Sequence, residues 1–237
     1  MLFTSLTTRA FTLLRIVPAT AAERREGHWD FATVAACARA ILEVRLTFFY
    51  LTEACSEDEW CTRVDILSIH DCTSRMKLFK AIGDHDGTGQ VDEIAEFGKQ
   101  LVEVQERLQR RPFFTALPPG DRNRYLNGSK AHLHSLEDIG SRCGIPVPVF
   151  RMFYLIWSTQ AHGLPMSYHR MAADKRGAGV HCFVEESYTA MCLNLCAQLL
   201  VDSTAEMHEL FRDFPAAQNP RPPVPGLLGK MLARAGQ

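Results

Sequence analysis

The stretch Asp30–Ala54, DFATVAACARAILEVRLTFFYLTEA, decides how the rest of the chain is read. Wound as a helix it is apolar on almost every side, which predicts burial by neighbours on several faces. Asp30 stands just ahead of the apolar run as an N-cap. Inside the run, Arg39 and Glu43 are four residues apart and share one face with Ala32, Ala36, Leu46 and Tyr50. A charged pair in the most hydrophobic helix of a chain has to be paired or used, because an isolated charge in an apolar setting costs too much to keep.

Helical periodicity continues on both sides of this stretch. Residues 5–25 read as a first helix, bent or ended near Pro18, with Phe11, Leu14 and Val17 facing the core. Ser56 with Glu59 makes a capping box that opens a third helix, running to about Ile82 with Trp60, Val64, Leu67, Met76, Leu78 and Phe79 as its buried set. Residues 91–110 resume the helical spacing. A turn-rich loop follows over 112–128, then a short helix that stops at Gly144. A second very apolar helix covers Val149–His162, closed by Gly163 and Pro165. Glu185 and Glu186 open a last long helix, where acids suit the positive end of the helix dipole. No alternating strand pattern is present. The expected fold is all-α, an irregular bundle of about six to eight helices. Its expected divisions are an N-terminal helix or targeting-like segment over 1–28, a helical bundle domain over 29–215, and a proline-rich linker and tail over 216–237.

Composition narrows the function classes. The chain has 237 residues, 46% of them hydrophobic, enough for a sizeable core. The formal charge is −1, from 26 basic and 27 acidic residues, so general nucleic-acid or membrane-surface binding is not expected. Arg, Glu or Pro interrupts every apolar run before it reaches the length of a membrane span. The 8 cysteines form no CxxC and sit mostly in apolar helical patterns. They read as reduced core residues of a cytoplasmic protein. The first 22 residues contain Arg9, Arg15 and several Thr but no acid, so the composition also fits a targeting segment.

The candidate site comes from two helices. In the helix over 149–162, Arg151, Ser158 and His162 fall on one face, at steps of seven and four. The other faces carry Phe150, Phe153, Tyr154, Ile156 and Trp157. The simplest packing sets Arg39 and Glu43 against Ser158 and His162, with a carboxylate holding the imidazole in one tautomer. The segments Arg39-Ala-Ile-Leu-Glu43 and Tyr154-Leu-Ile-Trp-Ser158-Thr-Gln-Ala-His162-Gly-Leu-Pro165 together resemble a family of uncharacterised bacterial all-helical proteins, over roughly residues 30–210. That resemblance carries no established activity. It implies that Arg39, Glu43, Ser158 and His162 act together. As chemistry, His162 would be the base, Glu43 its orienter, Arg39 an anion anchor, and Ser158 a nucleophile or hydrogen-bond donor, in hydrolysis of an ester or phosphodiester. The alternative is a non-catalytic binding or scaffold module in which the four residues lock helix register. The partner is then an unknown small molecule or protein.

Other motifs stand beside this one. Asp84, Asp86, Thr88, Gln90 and Asp92 follow the ligand order of an EF-hand calcium loop, with Gly at the sixth position. Position twelve, which should supply a bidentate Glu, is Ala95, so calcium is a third, weaker reading and no other cofactor is expected. The loop Ser167–His181 carries His169, Arg170, Lys175 and Arg176 and could cover the His162 site. Arg63 with His70, and Arg176 with His181, match the spacing of helical ribonuclease toxins, but such spacings arise by chance in a chain with 9 histidines. His181, Cys182, Cys192 and Cys196 match no common zinc module.

Overall fold

The computed structural model describes residues 1–18, 20–86, 91–163, 165–169 and 176–213. Every regular element among them is helical: α1 (Leu2–Ile16), α2 (Ala21–Glu26), α3 (Phe31–Thr52), α4 (Glu57–Asp86), α5 (Val91–Gln109), α6 (Pro112–Thr115), α7 (Pro119–Leu126), α8 (Leu136–Arg142), α9 (Val147–Ala161), α10 (Pro165–Tyr168) and α11 (Phe183–Leu210). Eight of these have seven residues or more, so the protein is an irregular all-α bundle. None of the described helices is long and apolar enough to cross a membrane. The chain clusters into two compact units, Met1–Tyr50 with Leu136–Gln237, and Leu51–Ser135. The linker and tail expected over 216–237 lie outside the described residues.

The discontinuous unit is built on α3. Asp30 caps it by accepting from the Thr33 main-chain N–H at 3.1 Å and from the Thr33 hydroxyl. Burial pushes the Asp30 carboxyl up, but those bonds outweigh it and hold the group below the usual carboxylate range. Val34, Ala35, Ala38, Ile41, Leu42 and Leu46 form the buried side. Burial is less complete than the composition of the stretch predicts, since Ala32 and Ala36 are exposed. α1 stops where Val17 turns extended ahead of Pro18, and α2 restarts with a Thr20–Glu23 capping box. The core face of α1 is Leu6, Ala10 and Leu13. Phe11 and Leu14, expected inside, are 43% and 38% exposed. The apolar residues of α1 allow two faces, and its packing on α11 selects the other one. α11 turns a strip of Glu185, Thr189, Cys192, Cys196, Leu199 and Ser203 inward. Gly144, at φ 86°, ends α8 in a left-handed conformation that favours glycine.

The contiguous unit is a long α4 packed along α5, closed by α6 and α7. Its core is Ile66, Ile69, Leu108, Phe114 and Tyr125. Two of the residues expected in the α4 core, Trp60 and Leu78, are instead 45% and 56% exposed. The buried face of α4 also carries charges. Asp65, 2% exposed, accepts from Arg107 at 2.6 Å and from Arg111 at 2.6 Å. Arg63, also 2% exposed, donates to Glu53 at 2.7 Å and to Glu59. Both buried charges are fully engaged, which is the condition for keeping them in a core.

Candidate functional site

All the residues of the cluster belong to the discontinuous unit. Arg39 projects from the half-exposed side of α3 and its three nitrogens each meet a different group. Nε donates to Glu43 Oε1 at 2.9 Å, Nη2 to the Tyr154 hydroxyl at 3.3 Å, and Nη1 meets His162 Nε2 at 3.0 Å. Tyr154 in turn reaches Glu43 Oε1 at 3.5 Å, a long contact. Its ring lies under the guanidinium, 5.0 Å from the Arg39 carbon to the centroid, and stacks on Phe150 at 5.3 Å. Burial disfavours the charge on Arg39, and the bonds to Glu43 and Tyr154 more than restore it.

The cluster faces solvent. His162 is exposed, and the Arg39 and Glu43 side chains are 20% and 40% accessible. His162 is the C-cap of α9. Its Nε2 faces a guanidinium, which can only donate. That nitrogen therefore accepts, and the proton of the neutral ring lies on Nδ1. The group beside His162 is Arg39, not the carboxylate expected from the two polar stripes. Glu43 orients Arg39 instead.

Ser158 takes no part in these bonds. Its Oγ is buried without a hydrogen-bond partner, and only its carbonyl meets His162, accepting from the main-chain N–H at 3.1 Å. Arg151 leaves the stripe altogether: it forms a two-pronged ion pair with Glu137 of α8, at 2.6 and 2.7 Å. Tyr154, read as part of the apolar surround, occupies the place expected for Ser158. Its spacing carried the signal, because Tyr154, Ser158 and His162 recur at every fourth position.

Arg45 was the larger omission. It is 1% exposed and forms a two-pronged pair with Glu206 of α11, at 2.7 and 2.5 Å. Phe48 and Phe49 flank its guanidinium at 5.9 and 5.7 Å. The charge sealed in the apolar helix is this one, while Arg39 sits at its edge.

Asp84 and Asp86 belong to the last turn of α4 and Asp92 to the first turn of α5, while Thr88 and Gln90 lie outside the described residues. Arg63 is bound to Glu53 and Glu59, with nothing left for a reaction with His70. Arg176 lies over Tyr188 at 5.5 Å, and His181 meets Glu186 at 2.9 Å. Among the described residues no group of three or more His, Cys, Asp or Glu is arranged to hold a metal ion. All eight cysteines are free thiols. Burial pushes the Cys192 thiol, which accepts from Trp157 Nε1 at 3.1 Å, up to about 11. Compared with known protein families, curated proteins and solved structures, the chain matches none.

Proposed function

We propose that the Arg39–Glu43–Tyr154–His162 cluster is the working centre of a small helical hydrolase acting on an ester or phosphodiester. The observation that supports this reading is the exposure of His162 in contact with Arg39. A proton-transfer group and an anion anchor stand side by side at the surface, where a substrate can reach both. An incoming phosphate or carboxylate draws the guanidinium onto its own oxygens and releases His162 Nε2. The freed nitrogen takes a proton from water, the water oxygen attacks the ester centre, and the imidazolium returns the proton to the leaving oxygen. Water is the preferred nucleophile, since the Ser158 hydroxyl is buried and not bonded to the imidazole. Glu43 and Tyr154 position Arg39.

A second reading has its own support: every nitrogen of Arg39 already has a partner, and the side chain ties α3 to α9. A latch of this kind would serve a binding or scaffold module. The test is hydrolysis of bis(p-nitrophenyl) phosphate and p-nitrophenyl acetate by the intact chain and by His162→Ala. The hydrolase reading expects a loss of about 100-fold or more with an unchanged melting temperature. Equal rates in the two proteins, or a variant that unfolds, would favour the latch.

A further inference from the structure

We infer that the contact between Arg39 and His162 is a proton-coupled site for a doubly charged oxyanion such as a phosphate monoester, the product class of a phosphodiesterase. The inference deepens the proposed hydrolase, and it rests on that reading only for its biological role. The geometry stands by itself. Two nitrogens from different helices lie 3.0 Å apart, one on a permanent cation and one on an imidazole. They bond to each other only while the imidazole is neutral, because a protonated Nε2 and a guanidinium N–H are both donors. Protonation of His162 breaks this bond and leaves two donors side by side at a solvent-facing surface. Two N–H groups that close together fit two oxygens of one tetrahedral anion, with both bonds charge-assisted.

Among the described residues, the charged and titratable groups facing the pair are Arg39 and Glu43 from α3 and Tyr154 from α9 itself. On α8, Glu137 is committed to Arg151. α10, also packed on α9, adds Tyr168, 62% exposed, followed by the exposed His169. With His162 protonated, the cluster of Arg39, His162 and Glu43 carries one net positive charge. The free site is thus a neutral, self-satisfied latch. The occupied site holds one more proton, taken from solvent. By linkage, binding must then strengthen as pH falls through the range in which the imidazole titrates.

Sulfate is the probe, because it is a dianion that does not itself titrate near neutrality. Binding to the intact chain is measured by calorimetry between about pH 5 and 8, in buffers of different ionisation enthalpy. The expected result is uptake of close to one proton per sulfate on the alkaline side, where affinity falls about tenfold per pH unit. His162→Gln should keep the melting temperature and lose the pH dependence. Arg39→Gln should lose binding, and Glu43→Gln, which removes the competing carboxylate, should tighten it. Sulfate that fails to bind, binds without proton uptake, or binds His162→Gln with the same pH dependence overturns the inference. The two proposals fail separately: sulfate binding with proton uptake and no hydrolysis removes the enzyme and leaves the site, whereas hydrolysis without sulfate binding does the reverse.

Discussion

Arg39 and Arg45 stand less than two turns apart on the same helix, and their surroundings make them different kinds of residue. Arg45 is sealed at 1% exposure, gripped by both oxygens of Glu206 and walled by Phe48 and Phe49. It has one partner and no access to solvent. Arg39 is partly exposed, shared among Glu43, Tyr154 and His162, and one of those partners is an exposed imidazole. A sealed guanidinium gripped by one carboxylate holds a core in register. An open, over-shared cation can let go of one partner to take another. The difference teaches that burial of the guanidinium itself, rather than the presence of a charge in an apolar helix, separates scaffold from chemistry.

The sharpest way to break this comparison is to remove Glu206. Glu206→Ala leaves Arg45 charged and unpartnered in the core, and should destabilise the protein by about 3–5 kcal/mol in a denaturant melt. A loss below about 1 kcal/mol would show that Arg45 reaches solvent after all. Replacing both partners, Arg45→Met with Glu206→Met, should recover most of that loss, to within about 1–2 kcal/mol of the parent, because two apolar side chains need no partner. If the double variant is as unstable as Glu206→Ala, the pair has a geometric role that shape alone cannot replace. His162→Ala should change stability by no more than about 0.5 kcal/mol, as expected for an exposed residue with a single side-chain bond. The smallest effect is a difference in reactivity. At about pH 8 the partly exposed Cys61 and Cys143 should react with a thiol reagent before the buried Cys192 and Cys196. Both buried thiols sit on α11 with Glu206 and have their ionisation pushed up by burial, so they stay protonated. Glu206→Ala should loosen α11 and speed their modification, while His162→Ala should not.

Much of this was legible in the chain. The periodicity of Asp30–Ala54 and of 91–110 predicts α3 and α5 to within a residue or two. The polar positions in two apolar helices predict that Arg39, Glu43 and His162 meet. What the spacing leaves open is which member of each stripe makes the bond. Glu43 and Arg39 are both long enough to reach His162, and the guanidinium wins because it offers three separate nitrogens to three acceptors. Ser158 lies on the right strip of α9, but its short side chain keeps the hydroxyl beneath the surface, and the longer Tyr154 spans the gap. Arg45 was hidden for a different reason. Its partner lies 161 residues away, and Glu206 stands in sequence beside His208 and Glu209, polar neighbours that give no sign of a buried partner. No local pattern joins two such positions. α1 and α4 lost their predicted faces in the same way: apolar residues lie on more than one side of each, and only the packing partner selects among them.

The division of the chain bears on the order in which the protein is made. Leu51–Ser135 is one continuous segment, whereas the other unit is completed only by residues after Leu136. As the chain leaves the ribosome, the continuous segment has all of its contacts available first. Arg45 has to wait for Glu206, which follows it by 161 residues, or roughly 8–30 s of synthesis at about 5–20 residues per second. During that interval the apolar α3 is without the helix that covers its charge. A nascent chain stalled before α11 emerges should therefore be the form that chaperones hold longest.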